Sequence, residues 1–449
     1  MDEVSLRRNQ VSNSTKHSAI ELFAGVGGFR LGLQDEWDVV WSNQWEPSTK
    51  TQHASEVYVK RFKPGDQHSC ENIDDVLVKV ENGELHIPPH QLLVAGFPCQ
   101  DYSVARVLGQ ASGLVGKKGV LWWSIYELAK RYQPKYILLE NVDRLLKSPA
   151  THRGRDFAII LSSLAGLGYT VEWRMVNSAD YGFPQKRQRV FIIAEFNADK
   201  LNGEEKPQFI SSEGVLAQAF PIHPPNTDMS FPITLKKDLV EVTETFSDPN
   251  TKESPFRNAG VMQDYEVITF GVNPLFDGVH AQKTYNEAEK GTLGSILQAE
   301  DQVDPRFVIP ESQIDDWALL KGGTGEGKRS AKRIHKVSGV EYNYSEGAIP
   351  FPDSRENPSR TIVTGEGGSG PSRFKHVVEV NDRHRRLTPI ELERLNGFDD
   401  DWTAVPGFSD SRRAFLMGNA LVVGVVARIS KPLAEKLAKT QNGYQNGDG

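Results

Sequence analysis

Apolar residues along the first part of the chain come in short, separated runs. Between Ser18 and Phe196 these are "AIELF" (19–23), "WDVVWS" (37–42), "LLVAG" (92–96), "YILLE" (136–140), "YTVEWRMV" (169–176) and "RVFIIAEF" (189–196). Runs of this length, rich in aliphatic and β-branched residues, predict strands. Between them, Leu121, Trp122, Ile125, Leu128, Ala129 and Tyr132 recur at helical spacing, as do Phe157, Ile160, Leu161 and Leu164. Strands alternating with amphipathic helices predict an α/β fold, a mostly parallel, doubly wound sheet with helices on both faces. Such sheets bind ligands beyond the carboxyl ends of their strands. Unusual segments fall there: "AGVGG" follows the first strand, "FPCQ" follows another and "ENV" closes a third.

After Phe196 the rhythm breaks. The stretch 197–356 is rich in Pro, Gly, Ser and acidic residues, with Pro221, Pro224, Pro225 and Pro232 close together, and predicts a second, irregular domain. Within it "KRSAKRIHK" (328–336) concentrates basic residues. It reads either as a solvated loop or as a phosphate-contacting patch. Regular structure returns in 357–437. In "RLTPIELERLNGF" (386–398), Thr388, Pro389 and Glu391 spell an N-cap, first-turn proline and capping box, and Gly397 a stop. A closing helix is expected over about 420–437, with 1–17 and 438–449 flexible.

Composition narrows the class. A chain of 449 residues with 38% hydrophobic and 25% charged residues is that of an ordinary globular protein of two or three domains. No run reaches the roughly 18 apolar residues of a membrane helix, and the N-terminus has no secretory pattern. The two cysteines, Cys70 and Cys99, cannot build a disulfide framework, which fits a reducing cytosol. The formal charge of −7 argues against indiscriminate nucleic-acid binding, so a DNA-binding reading needs a local basic face.

The candidate chemistry begins at "LFAGVGGFR" (22–30), a glycine-rich turn from strand to helix. Gly25, Gly27 and Gly28 would let a ligand lie against the backbone, or serve a tight connection. Glu46, after the second strand, is either a ribose ligand or an ordinary surface acid. "GGTGEGKR" (322–329) imitates a phosphate loop, but Arg329 stands where Ser or Thr is required and no strand precedes it, so it is read as a loop. A lone cysteine is usually a small buried hydrophobe. Cys99 departs from that: it follows its strand, Pro98 fixes the turn, and Gln100, Asp101 and Ser103 surround it. A reactive thiolate needs a positive neighbourhood, for which Arg187 and Arg189 in "QKRQR" (185–189) are candidates.

Taken in order, "FAGVGG", "GFPCQDYS", "ENV", "QKRQR", "RLTPIELERLNGF" and "MGNAL" (417–421) resemble the motif series of the DNA cytosine-5 methyltransferases, over about 18–196 and 357–437. The resemblance implies a methyltransferase fold, S-adenosylmethionine as cofactor and double-stranded DNA as partner. It implies that Cys99 attacks cytosine C6, that Glu140 holds the N3 and N4 edge and protonates N3, and that Arg187 and Arg189 supply positive charge. Phe23 would stack near the cofactor adenine, with Gly25, Gly27, Gly28, Glu46, Asn72, Ile73, Pro98 and Asn419 completing that pocket. Many family members carry Asp-Ile where this chain has Asn72-Ile73; an amide oxygen can still accept the adenine amino hydrogen. Catalysis on a base requires flipping it from the duplex. The region 197–356 stands where the family has its target-recognition domain, with 357–437 completing the catalytic domain. DNA contacts are expected from Gln100, Ser103, Gln185, Lys328, Arg329, Lys332 and Arg333. No metal site and no membrane are expected. The implied protein is a cytoplasmic monomer of bacterial or phage origin, with room for a separate cognate restriction endonuclease. The alternatives are a tRNA cytosine-5 methyltransferase and a catalytically silent DNA-binding relative.

Overall fold

A single sheet carries both the six predicted strands and four that the pattern does not predict. The computed structural model describes residues 16–97, 121–202, 205–223, 231–246, 248, 253–275, 291–322, 329–334, 341–346 and 348–445. Among these, ten strands join edge to edge: β1 (His17–Leu22), β2 (Trp37–Asn43), β3 (His68–Ser69), β4 (Leu92–Gly96), β5 (Tyr136–Val142), β6 (Tyr169–Asn177), β7 (Gln188–Phe196), β8 (Phe231–Thr234), β9 (Ala259–Gln263) and β10 (Glu266–Phe270). Their order is β3-β2-β1-β4-β5-β7-β6-β9-β10-β8. The pairings from β3 through β5 are parallel, and those from β5 through β8 antiparallel. The sheet is therefore mixed: parallel through the glycine-turn half, antiparallel beyond β5.

Helices cover both faces, and the two-residue period of the strands decides which residue faces which layer. Ile20, Leu22, Leu93, Ala95, Ile137 and Leu139 pack with α3 (Ile73–Glu81), α4 (Leu121–Tyr132) and α5 (Arg155–Gly166). Ala19, Leu92, Val94, Tyr136 and Leu138 pack on the other face against α1 (Gly28–Leu33), α6 (Val215–Ala219) and the last helix. Burying each such large side chain contributes about 1.5–3 kcal/mol, so runs apolar at every position are what two-sided burial requires.

The second difference concerns 197–275. The break after Phe196 predicts a separate irregular domain from 197, yet β8–β10 extend the main sheet. β9 pairs with β6, and Gly260 sits opposite Trp173. A Cβ at Gly260 would lie 2.2 Å from the Trp173 indole, so only glycine permits the approach. Trp173 also donates Nε1–H to the Arg257 carbonyl at 3.1 Å. Two buried charges of β6 fix α6: Glu172 accepts from the amides of Val215 (2.9 Å) and Leu216 (3.3 Å), and Arg174 donates to the Leu216 and Phe220 carbonyls. The helix ends are thereby satisfied without solvent.

Beyond this lie α7 (Leu239–Thr245) and α8 (Glu311–Lys321), the hairpin β11 (Arg329–Ile334) with β12 (Glu341–Glu346), and the hairpin β13 (Val377–Val380) with β14 (Arg383–Arg386). The chain returns to the sheet through α9 (Pro389–Leu395), whose Thr388–Glu391 capping box and left-handed Gly397 match the sequence reading. α10 (Asp410–Asn419) and α11 (Val423–Gln445) follow. α11 runs eight residues past the expected end, because a packed helix adds one hydrogen bond per residue at little cost. Asp410–Thr440 is long and apolar enough to cross a membrane, but its most apolar window is 67% buried inside the protein. Leu33 of α1 and Val425, Val426, Ile429 and Leu433 of α11 belong to one core, and Trp37 donates to the Ser430 carbonyl at 3.3 Å.

Candidate active site

The carboxyl ends of β1, β2, β4 and β5 and the start of the antiparallel β7 gather at one edge of the sheet. The glycine turn opens β1. Gly25 and Gly27 take left-handed conformations, and Phe23 shares that conformation at φ 54°. A Cβ on Gly25 would meet nothing within 4 Å, so the turn leaves open space against its backbone. Gln44, at the end of β2, steers the turn: its Oε1 accepts from the Gly25 amide at 2.7 Å.

Beneath the turn sits a buried polar cluster. The fully buried Glu21 accepts from Tyr58 Oη at 2.9 Å and from the Arg30 amide at 3.4 Å, and Arg30 Nη1 donates to Tyr58 Oη at 3.3 Å. Burial pushes the Glu21 carboxyl up to about 7, with the Tyr58 hydrogen bond and Arg30 opposing. His68 stacks on Tyr58 and bridges Ser42 and Ser55, and burial pulls it down to about 4.

The remaining cofactor candidates divide. Asn72 caps α3, its Oδ1 accepting from the Asp74 amide at 3.1 Å, and Ile73 is buried in the core. One lone pair of the Asn72 oxygen is therefore already engaged. Glu46 has one oxygen engaged elsewhere: Oε2 accepts from the Ala54 amide at 2.9 Å, in the first turn of α2 (His53–Phe62). Gln44, two residues earlier, is the side chain that reaches the glycine turn, and the sequence reading missed it. Asn419 is exposed at the end of α10.

At the ends of the central strands, Gly96 of β4 lies opposite Glu140 of β5. Glu140 Oε1 is paired with Arg189 Nε at 2.9 Å, the two side chains being 14% and 18% exposed. A Cβ on Gly96 would come 3.5 Å from Glu140 Oε2, so the glycine leaves that oxygen open on the β4 side. Asn141 was also missed: its Nδ2 donates to the Phe97 carbonyl at 2.8 Å, fixing the backbone just before Pro98. Its place within "ENV" was the available signal. Pro98, Cys99, Gln100 and Ser103 themselves lie outside the described residues, as does Lys328.

Of the "QKRQR" residues, Arg189 is the one ion-paired with Glu140. Arg187 is buried, with Nη1 donating to the Ile362 carbonyl at 3.3 Å and Nη2 to the Gly418 carbonyl at 2.9 Å. Burial, aided by the neighbouring Arg189 charge and opposed by Glu140, pulls it down to about 9. Its Nε finds no acceptor among the described residues. Gln185 corrects the expectation of a DNA contact. It is fully buried, donates to the Leu395 carbonyl (3.2 Å) and Asn396 Oδ1 (2.9 Å), and accepts from the Ile362 amide (3.0 Å). A polar run in sequence concealed a side chain spent entirely on joining three segments. Arg329, Lys332 and Arg333 lie on β11, whose backbone pairs with β12 away from the main sheet.

The comparisons agree with this geometry. The sequence model of the family described as C-5 cytosine-specific DNA methylase matches residues 17–435. The chain is 43% identical over 437 residues to the type II methyltransferase M.Sau3AI of Staphylococcus aureus, covering 95% of this chain and 97% of that protein. It is 28% identical to M.HhaI of Haemophilus parahaemolyticus, covering 93% and 94%. Among solved structures, Dnmt2 methyltransferase of S. pombe superposes with a TM-score of 0.54 at 14% identity, over 94% of this chain and 99% of that one, a likeness of fold. This chain belongs to the C-5 cytosine-specific DNA methylases and is a sequence-specific DNA cytosine-5 methyltransferase of the type II kind.

Proposed function

We propose that the site methylates a flipped cytosine by covalent catalysis, with Cys99 as nucleophile and Glu140 and Arg189 as the pair that holds the base. The observation that carries this reading is the Glu140–Arg189 ion pair at a strand edge shared with Gly96, three residues before Cys99. Addition of the Cys99 thiolate to C6 puts negative charge into the ring and makes C5 nucleophilic. Arg189, kept in place by Glu140, stands where that charge develops. Glu140 Oε2 takes the amino edge of the base while Oε1 stays with Arg189. After C5 has been methylated, its proton passes to a water molecule, the C5–H electrons restore the C5–C6 double bond, and the C6–S bond breaks to release the thiolate.

The residues present fit S-adenosylmethionine: an open glycine turn, a polar side chain at the end of β2 and a capped α3 start lie along adjacent strand ends. When bound, it supplies an electrophilic methyl on a sulfonium centre. Phe23, Gly25, Gly27 and Gly28 would line it, Asn72 and Ile73 would meet its adenine, and Gln44 rather than Glu46 is best placed for its ribose. The part of 197–356 beyond the main sheet, with β11, supplies DNA contacts as the target-recognition part. The bacterial type II relatives support a cytoplasmic enzyme acting on double-stranded DNA, with a restriction partner acting separately; we read it as a monomer.

The test is labelled methyl transfer to duplex DNA and to tRNA, followed by conversion sequencing. The parent should mark cytosines at one recognition sequence in duplex DNA, and Cys99→Ala should fall to background. Transfer by Cys99→Ala at the parent rate would remove the nucleophile assignment.

A further inference from the structure

We propose that His376, buried between Glu366 and Ser359, is a positioning residue for the arginines of the active site. The inference rests on the catalytic reading above. His376 Nδ1 lies 2.8 Å from Glu366 Oε1 and Nε2 lies 3.0 Å from Ser359 Oγ, while the His376 amide donates to Glu366 Oε2 at 3.0 Å. All three side chains are buried. The trio has the residue types of a hydrolytic triad but not its access: Ser359 Oγ is enclosed and also donates to the Arg360 carbonyl at 2.8 Å. Buried polar groups so fully satisfied rigidify what they join.

What they join is the wall of the catalytic site. The Ser359 amide donates to the Pro184 carbonyl and the Lys186 amide to the Ser359 carbonyl, both at 2.7 Å. Three residues on, Ile362 receives Arg187 and is held by Gln185, and Thr361 Oγ1 donates to the Lys186 carbonyl. The segment 359–362 therefore sets the height of 184–187, which carries Arg187 and leads into β7 at Arg189. A second lock runs beside the first. Arg360 makes a two-pronged pair with Asp353 (2.7 and 3.1 Å), and Asp353 Oδ2 accepts from the Val377 amide at 2.9 Å. The neighbours of Ser359 and His376 are thus tied together again, which lets one lock be broken while the other preserves the fold. Glu366 and His376 also bracket the glycine-rich loop "GGSGPSRFK" (367–375), so the same pair joins that loop to the catalytic wall.

The experiment compares single-turnover methyl transfer at saturating DNA and methyl donor for the parent, Ser359→Ala, His376→Asn, the double variant and Ser359→Thr. Each single variant should slow transfer about tenfold, with DNA and donor affinities within about threefold of the parent. The double variant should be no slower than the slower single, since both break one link, and Ser359→Thr should recover most of the rate. Single variants that bind DNA and transfer methyl within twofold of the parent would overturn the inference, as would losses that multiply in the double variant. Failure of the parent to methylate DNA would instead count against the catalytic reading.

Discussion

Glu21 and Glu140 are both acids at the ends of apolar strands, and their surroundings give them opposite work. Glu140 has a cation at 2.9 Å and one oxygen open toward β4. Glu21 has a phenol, the backbone amides of Phe29 and Arg30 and a more distant guanidinium, and full burial outweighs them and raises it to about 7 from an ordinary 4.5. Between those two values the folded protein holds a proton that the unfolded chain releases. Stability contributed by Glu21 therefore falls as pH rises through this window and is fully lost above about 7. Glu21→Gln removes the titration, so its stability relative to the parent should improve by about 3 kcal/mol between pH 4.5 and pH 8, read from urea unfolding at both ends. A difference independent of pH would contradict the assignment. At this scale the motifs were informative about which residues meet, as Glu140 and Arg189 do. The sequence misled at Gln185, because which partner a polar side chain spends itself on is decided by segments far away in the chain.

The strands of the catalytic half were legible because both of their faces are buried, which leaves near-continuous apolar runs. β8–β10 were not: "FPIT" contains a proline, and "AGVMQ" offers nothing to mark it as a partner of β6. Their place depends on Gly260 meeting Trp173, a fit between residues 87 positions apart. Gly260→Ala should cost at least about 2 kcal/mol, because a Cβ would strike both a buried indole and the Ile268 carbonyl. A urea midpoint equal to that of the parent would show that β9 can move away from β6. The capping box of α9 was legible for the opposite reason: its signal is local, four residues that satisfy one another.

Across the whole molecule, the end of the chain closes the site that its beginning opens. Gly418 holds Arg187, Trp402 donates to the Val26 carbonyl of the glycine turn at 2.9 Å, and α11 packs on α1. The order of motifs foretold this return, although the contacts that make it depend on three-dimensional fit. The arrangement serves one purpose in our account: to hold a thiolate, a carboxylate and an arginine around a base taken out of its duplex. The most direct test is a duplex carrying 5-fluorocytosine at the target position, incubated with enzyme and methyl donor and then denatured. Fluorine at C5 cannot leave as the proton does, so the account predicts a stable protein–DNA adduct that Cys99→Ala fails to form. Fully active enzyme that yields no adduct, or an adduct that persists without Cys99, would contradict it.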